Sequence, residues 1–351
     1  MDLATLAAAV RSQLSSISSI DVKYRKTVEY RKSLPGMPRS DPNYKQDVQD
    51  LEWAEQGDCR LFSTTYAPEM KRDSYSVSFD GATGYNYTWD PGQRVPDRLF
   101  IRSETSSGYW SADPPFFIGK QVVKNGPGLV DLLSAADTEL VGDEMFGGHK
   151  CWRVFRREFA RPSGPFQFSA LLDEGHDFLP AQLDVRHAES RLHEHLDDAY
   201  WKDVHTTWTV EEFMRVTDLA TRSERWFPKK VTLEHFLDKH VFTVTSVTLN
   251  GNIPIERFRP HAPDGAIVHD VTTPDVPKSY IVGGNPASDA LVERAAREAI
   301  SELRSRETPA AQTLGIDARP GRRHWVAIAL FGCSLLVCSV AVFFWYRVIR
   351  A

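Results

Sequence analysis

The chain opens on a helical period and then changes to a strand period. Leu3, Leu6, Val10, Leu14 and Ile17 recur at spacings of three and four, one apolar stripe over residues 2–18 with Asp2 placed to cap it. From Asp21 to Lys32 the period becomes two. Val22, Tyr24, Val28 and Tyr30 fall on one face, and Lys26 is the single polar intruder, so the pattern predicts a half-exposed antiparallel strand. A loop rich in proline follows at 34–43.

Short β-like runs then succeed one another between turn residues: Leu51–Trp53, Arg60–Tyr66, Tyr75–Phe79 and Tyr85–Trp89. The last two flank Asp80-Gly81, a hairpin signal whose alternating aromatics suggest one shared face. A helix is predicted at Gly128–Ala136. Strands resume at Leu140–Val141, His149–Phe159, Phe166–Leu172, Pro180–His187, Thr206–Phe213, Trp226–Phe236 and Val241–Leu249, the last rich in β-branched residues. Ser288–Arg304 reads as a final helix with Ser288 as cap and Leu291, Ala295, Ala299 and Leu303 on one stripe. The predicted class is α+β: about ten antiparallel strands without regular helical crossovers, hence a long meandering sheet and not a parallel α/β enzyme fold.

Trp325 to Tyr346 is 22 residues without a charge. As a helix it would be roughly 33 Å long, enough to cross a bilayer core. Trp325 and Trp345-Tyr346 stand where aromatic rings settle at headgroups. The expected organisation is a soluble domain over 1–285, an amphipathic helix over 286–305, a tether over 306–324, a transmembrane helix over 325–346 and a short basic tail over 347–351. Arg319, Arg322 and Arg323 before the span nearly balance Arg347 and Arg350 after it, so the positive-inside rule leaves the orientation open. The first residues, MDLATLAAAVRSQL, lack the basic and continuous apolar regions of a signal peptide. Two readings follow: a tail-anchored protein with a cytoplasmic domain, or a chain whose true start lies upstream.

Charge sharpens this division. The net charge of -5 combines 42 basic with 47 acidic residues, and no acidic residue follows Asp317. Residues 1–321 hold 38 of the basic and all 47 of the acidic residues, a net of -9, and the last thirty carry +4. An acidic main body argues against a nucleic-acid partner. Cys333 and Cys338 lie in the apolar span, and Cys59 and Cys151 stand outside it as a disulfide or as two free thiols.

The order of several local patterns resembles the LolA/LolB-like superfamily of bacterial outer-membrane lipoprotein carriers and sorting proteins. Leu172-Asp173 followed by Phe178-Leu179-Pro180 looks like its "strand, Asp, turn, leucine-proline, strand" hairpin. Trp226-Phe227-Pro228 is similar to its later strand entry. Phe258, Pro263-Asp264-Gly265, Val268 and Asp270 are similar to its closing stretch, and Phe79-Asp80-Gly81 to its early hairpin. The resemblance covers residues 1–275, in a membrane-anchored form longer than the carriers. It implies an incomplete β-barrel whose concave apolar face, covered by helices, suits acyl chains. It also implies export, and so a leader upstream of Met1 and a cytoplasmic tail at 347–351. Tyr24, Tyr75, Val77, Phe79, Tyr85, Tyr87 and Trp89 become candidate ligand-lining residues, with a plain core beneath the helix as the competing role.

Chemistry is sparse. There is no G-x-S-x-G, P-loop, dinucleotide fingerprint, C-x-x-C or H-E-x-x-H. His187, His193, Glu194, His195, Asp197, Asp198 and His205 form the nearest metal-like stretch. His193 and His195 would share a strand face, with His205 further on, but the stretch reads as an exposed insertion and no metal is assigned to it. Glu29, Glu52 and Glu55 could act as paired acids or be solvated strand positions; Lys229-Lys230 and Arg156-Arg157 read as solvated faces. The sequence therefore suggests a module that is not an enzyme and uses no cofactor. Its expected partners are the bilayer and a lipid or lipoprotein. A sensor scaffold like RseB, bound to a membrane regulator, and a metal enzyme using the histidines are the alternatives.

Overall fold

The computed structural model describes residues 1–30, 47–70, 72–93, 95–103, 118–120, 127–159, 166–187, 205–235, 238–273 and 278–296. The chain forms two compact units, one of residues 1–95 with 103–260 and one of residues 96–102 with 261–351.

The first unit begins with α1 (Leu3–Ser15), which starts where the sequence predicts: the Asp2 carboxylate accepts the Thr5 N–H at 2.7 Å. Leu6, Ala7 and Val10 are buried, so the helix is held by its apolar stripe more than by propensity. The strands are β1 (Ser19–Tyr30), β2 (Asp47–Gln56), β3 (Cys59–Tyr66), β4 (Ser74–Phe79) and β5 (Gly84–Trp89). After α2 (Leu129–Leu133) come β7 (Thr138–Phe146), β8 (His149–Phe159), β9 (Phe166–Asp173), β10 (Leu179–His187), β11 (His205–Thr217), β12 (Glu224–His235) and β13 (Asp238–Leu249). β6 (Arg98–Arg102) belongs to the second unit.

These twelve strands make one antiparallel sheet in the order β5-β4-β3-β2-β1-β13-β12-β11-β10-β9-β8-β7. The first five form one meander and the last seven another. The two meet where β1 pairs with β13, Val22 against Val247 and Tyr24 against Val244. A bulge between Lys23 and Tyr24 interrupts that ladder. Lys26, the polar intruder, sits opposite Phe242 with its ammonium 5.4 Å from the ring centroid, a cation–π contact that keeps its stem on the apolar face.

The sheet is curved, and α2 shows how far. Laid flat, β2 and β7 would stand about 38 Å apart across eight strand spacings. Yet α2 and the residues bonded to it reach both arms. Thr138 at the start of β7 bonds the Leu132 carbonyl, and the Leu129 N–H bonds the Gly119 carbonyl at 2.8 Å. The next residue, Lys120, reaches Glu55 of β2 at 2.8 Å and lies over the Trp53 ring at 5.8 Å. The inner face thus wraps around a core of Leu6 and Val10 from α1, Leu129 and Leu132 from α2, and Phe62, Trp152, Phe168, Phe227 and Phe242 from the strands. On the outer face, Ala54 and Leu61 are covered by Ile253 and Phe258 of the segment after β13. Cys59 and Cys151 are free thiols.

In the second unit, β14 (Ile267–Val271) pairs with β15 (Lys278–Ile281) in antiparallel register and with β6 in parallel register. That parallel pair departs from the all-antiparallel expectation: the chain returns to β6 after more than 160 residues, so a long crossover replaces a hairpin. The last helix begins at residue 286, and its cap is Asn285, not Ser288. The Asn285 side chain accepts the N–H groups of Ala287 and Ser288 at 3.0 Å each. Leu291 is 51% exposed, so the predicted stripe is not buried there. Among the described residues no helix is long and apolar enough to cross a membrane; the 325–346 span, the tether and the tail lie outside them.

Candidate ligand groove and apolar face

The seven predicted lining residues divide between the two faces. Tyr24, Val77 and Phe79 are buried and Tyr75 half-buried, with Tyr24 in the inner core and Tyr75 packed against it. Tyr85, Tyr87 and Trp89 oppose Ser78, Ser76 and Ser74. Opposed residues share a face, and Ser78 also opposes Leu61 of the outer cluster, so these three aromatics look outward. Tyr87 and Trp89 stack on each other there, at 5.3 Å and 19°. The cause is the turn. Phe79 pairs with Gly84 across four residues, Asp80–Thr83, and an even count puts odd positions of one strand against even positions of the next. Asp80 holds this turn by accepting from the Thr83 and Ala82 N–H groups, from Tyr85 Oη at 3.1 Å and from Arg259 Nε at 2.7 Å. Burial pushes the Asp80 carboxyl up, but those donors outweigh it and hold the group below its usual value.

The other candidate residues resolve into ion pairs. Glu52 meets Arg257 at 2.5 Å and Lys23 at 3.3 Å. Burial raises its carboxyl, and the two cations lower it further than burial lifts it. With Glu55 on Lys120, neither acid stands in the pair that proton transfer would need. Lys229 and Lys230 face Glu212 and Glu211, and Arg156 faces Asp137. His193 and His195 lie outside the described residues; His205 is the first residue of β11.

The sequence gives no direct sign of the groove between β11 and β13. β12 pairs with β13 only from Lys230↔Thr243 to Glu234↔Lys239. Beyond that point β12 follows β11, which bends at bulges around Glu212, and Val244–Leu249 of β13 run without β12 beside them. The hairpin tip then folds back onto the end of β13, through the Asp218↔Leu249 bridge and a 3.1 Å bond from the Leu219 N–H to the Leu249 carbonyl. The gap left between is an open groove of about 420 Å³ lined by Met214–Thr217, Leu219 and Thr245–Thr248. Met214, Val216 and Val247 form its apolar floor and pack against the inner core. Hydroxyls of Thr217, Thr245, Ser246 and Thr248 line the rest, with Arg215, whose guanidinium lies 3.8 Å from the Trp226 ring centroid. An apolar floor with a hydroxyl and guanidinium rim suits an amphiphile, and the volume falls in the range of small-ligand sites. Both strands were legible as strands; their divergence is a bulge effect with no local sequence signature.

No protein-family model matches the chain, and no curated protein does. Solved structures do. One is a domain described as a candidate outer membrane lipoprotein-sorting protein from Vibrio parahaemolyticus. It is 10% identical with a TM-score of 0.41, over 74% of this chain and 97% of that one. A DUF1329 family protein from Desulfovibrio piger matches at 11% identity and a TM-score of 0.39, over 74% of this chain and 98% of that one. The lipoprotein LppX of Mycobacterium tuberculosis matches at 9% and 0.28, over 72% and 98%.

Proposed function

We propose that this chain is a non-enzymatic binding module of the bacterial cell envelope that holds a lipid, a lipidated protein or another apolar partner. In this reading residues 325–346 anchor it as a single transmembrane helix, the domain is extracytoplasmic and the 347–351 tail is cytoplasmic. The observation that carries the binding role is the groove itself: Met214, Val216 and Val247 are open to one side and continuous with the core on the other. A packed sheet normally closes such a seam, so an acyl chain laid there would extend the core without displacing it.

The detergent-solubilised full chain is expected to carry co-purifying lipid by native mass spectrometry and to bind a fluorescent long-chain fatty acid saturably. Leu219 is 41% exposed at the groove rim, so Leu219→Glu is expected to keep the fold, checked by circular dichroism. Combined with Val247→Asp it should weaken probe binding by about 10-fold or more, the equivalent of one buried apolar side chain. Unchanged affinity in the double variant, or no bound lipid and no probe binding, would defeat the lipid reading. Retention of a membrane protein in a pull-down would then favour the regulator-bound scaffold. Topology is checked separately: alkaline phosphatase fused after Ala351 should be inactive, and an active fusion rules out the exported orientation.

A further inference from the structure

The turn from β9 to β10 gathers three side chains of metal-binding type. Asp173 ends β9, and a single 3-10 turn over Glu174–His176 folds His176 back above it. His176 Nδ1 lies 2.6 Å from Asp173 Oδ2. His149 starts β8; because Cys151 pairs with Asp173, His149 is delivered beside the same turn. The ligand atoms of the three residues all lie within 4.8 Å of one another. Their surroundings differ. Asp173 is buried, its Oδ1 accepting the Gly175 N–H at 2.8 Å. His176 is buried too, stacked on Phe213 at 4.1 Å and met edge-on by Trp226 at 4.4 Å. His149 is exposed, with its ring 4.7 Å from that of His176.

We propose that His149, Asp173 and His176 form a binding site for a zinc-class divalent cation. Two imidazole nitrogens and one carboxylate oxygen suit a borderline ion such as Zn²⁺ or Co²⁺, whereas Mg²⁺ and Ca²⁺ take mostly oxygen ligands. The cation takes the place of the hydrogen between His176 Nδ1 and Asp173 Oδ2; in a neutral imidazole that hydrogen moves to Nε2, so the ring binds through Nδ1 and stays neutral. With metal–ligand bonds of about 2.0–2.2 Å, tetrahedral ligands stand roughly 3.4 Å apart. The buried pair therefore opens slightly, and the exposed His149 swings in to close the third bond. Glu174, next in the chain after Asp173, is held by Trp152 Nε1 at 2.9 Å and Lys150 at 3.3 Å, and the fourth position falls to water or an anionic group of a ligand. Phe213 and Trp226 tie the site to the β11–β12 hairpin. It is nonetheless a separate site from the groove, and its test does not depend on lipid.

The test is a Co²⁺ and Zn²⁺ titration of the detergent-solubilised full chain, by calorimetry and by the visible absorption of bound Co²⁺. One equivalent should bind, unaffected by excess Mg²⁺. His149→Ala, at an exposed position, should fold normally by near-ultraviolet circular dichroism and bind about 10-fold more weakly or worse. His176→Gln should abolish the visible band. The His193→Ala/His195→Ala double variant should bind as the parent does. The proposal falls if no saturable binding occurs, if His149→Ala binds with parental affinity, or if the His193/His195 variant is the one that loses the metal.

Discussion

Asp218→Ala is expected to destabilise the chain by about 3–5 kcal/mol, the range for removing one partner of a buried charge pair. Asp218 is almost fully buried and accepts four hydrogen bonds. The N–H groups of Ala220 and Thr221 reach Oδ1 at 3.0 and 3.2 Å; Arg225 and Asn250 reach Oδ2 at 3.2 and 2.7 Å. Each of the last two carries the connection onward. Arg225 donates to the Gln13 carbonyl in α1 at 2.9 Å, and Asn250 donates to the Ser16 carbonyl at 2.8 Å while accepting the Ser18 N–H at 2.6 Å. One carboxylate thus joins the β11–β12 tip, the end of α1 and the end of β13, and holds the groove in shape. Truncation leaves a guanidinium buried without its counter-charge.

The same residue makes stability depend on pH. Burial pushes its carboxyl up, but the bonds from Thr221, Asn250, Arg225 and Ala220 outweigh burial and hold it below the usual value of 3.8. A group with a depressed folded pKa contributes fully above its unfolded pKa and loses that contribution as pH falls through the folded one. Chemical denaturation of the parent should therefore weaken from about pH 5 downward, and Asp218→Asn should show a flatter profile over that window. A variant with parental stability at neutral pH would show that the clamp is ornamental.

Phe242→Ala should be comparably damaging, about 3–5 kcal/mol, with a matching fall in the denaturation midpoint. Its side chain is fully buried at the seam of the two meanders, 6.0 Å from the Tyr24 ring and 5.6 Å from the Trp208 ring by centroids. It is also the ring over which Lys26 rests, so truncation leaves both a cavity and a half-buried ammonium without its π-face. Phe242→Leu keeps most of the volume and should cost below about 1.5 kcal/mol. Equal losses for both variants would show that the aromatic contacts, and not the volume, decide this position.

The two sites were legible to different degrees. Asp173 was singled out by its place before a leucine-proline strand entry, and the Asp173–His176 spacing is visible in the sequence. His149 belongs with them only because β8 pairs with β9 in one particular register. His193 and His195 are crowded along the chain as near neighbours in sequence. Proximity in sequence is a poor guide to a three-ligand site, whose members need only meet in space.

What the sequence determined by itself is local: α1 and its Asp2 cap, the alternation that makes β1 to β5 and β7 to β13 strands, the Asp80-Gly81 turn and the charge-free run at 325–346. These follow from periods of 3.6 and 2 and from side chains that bond within a few residues. Tertiary structure decided the rest. Turn length turned Tyr85, Tyr87 and Trp89 outward, pairing placed β1 beside β13 some 220 residues later, and bulges in β11 opened the groove. The physical reason is that alternation encodes two faces without naming either. Which face becomes core is set by which strand lies alongside, and that choice is made by contacts distant in the chain.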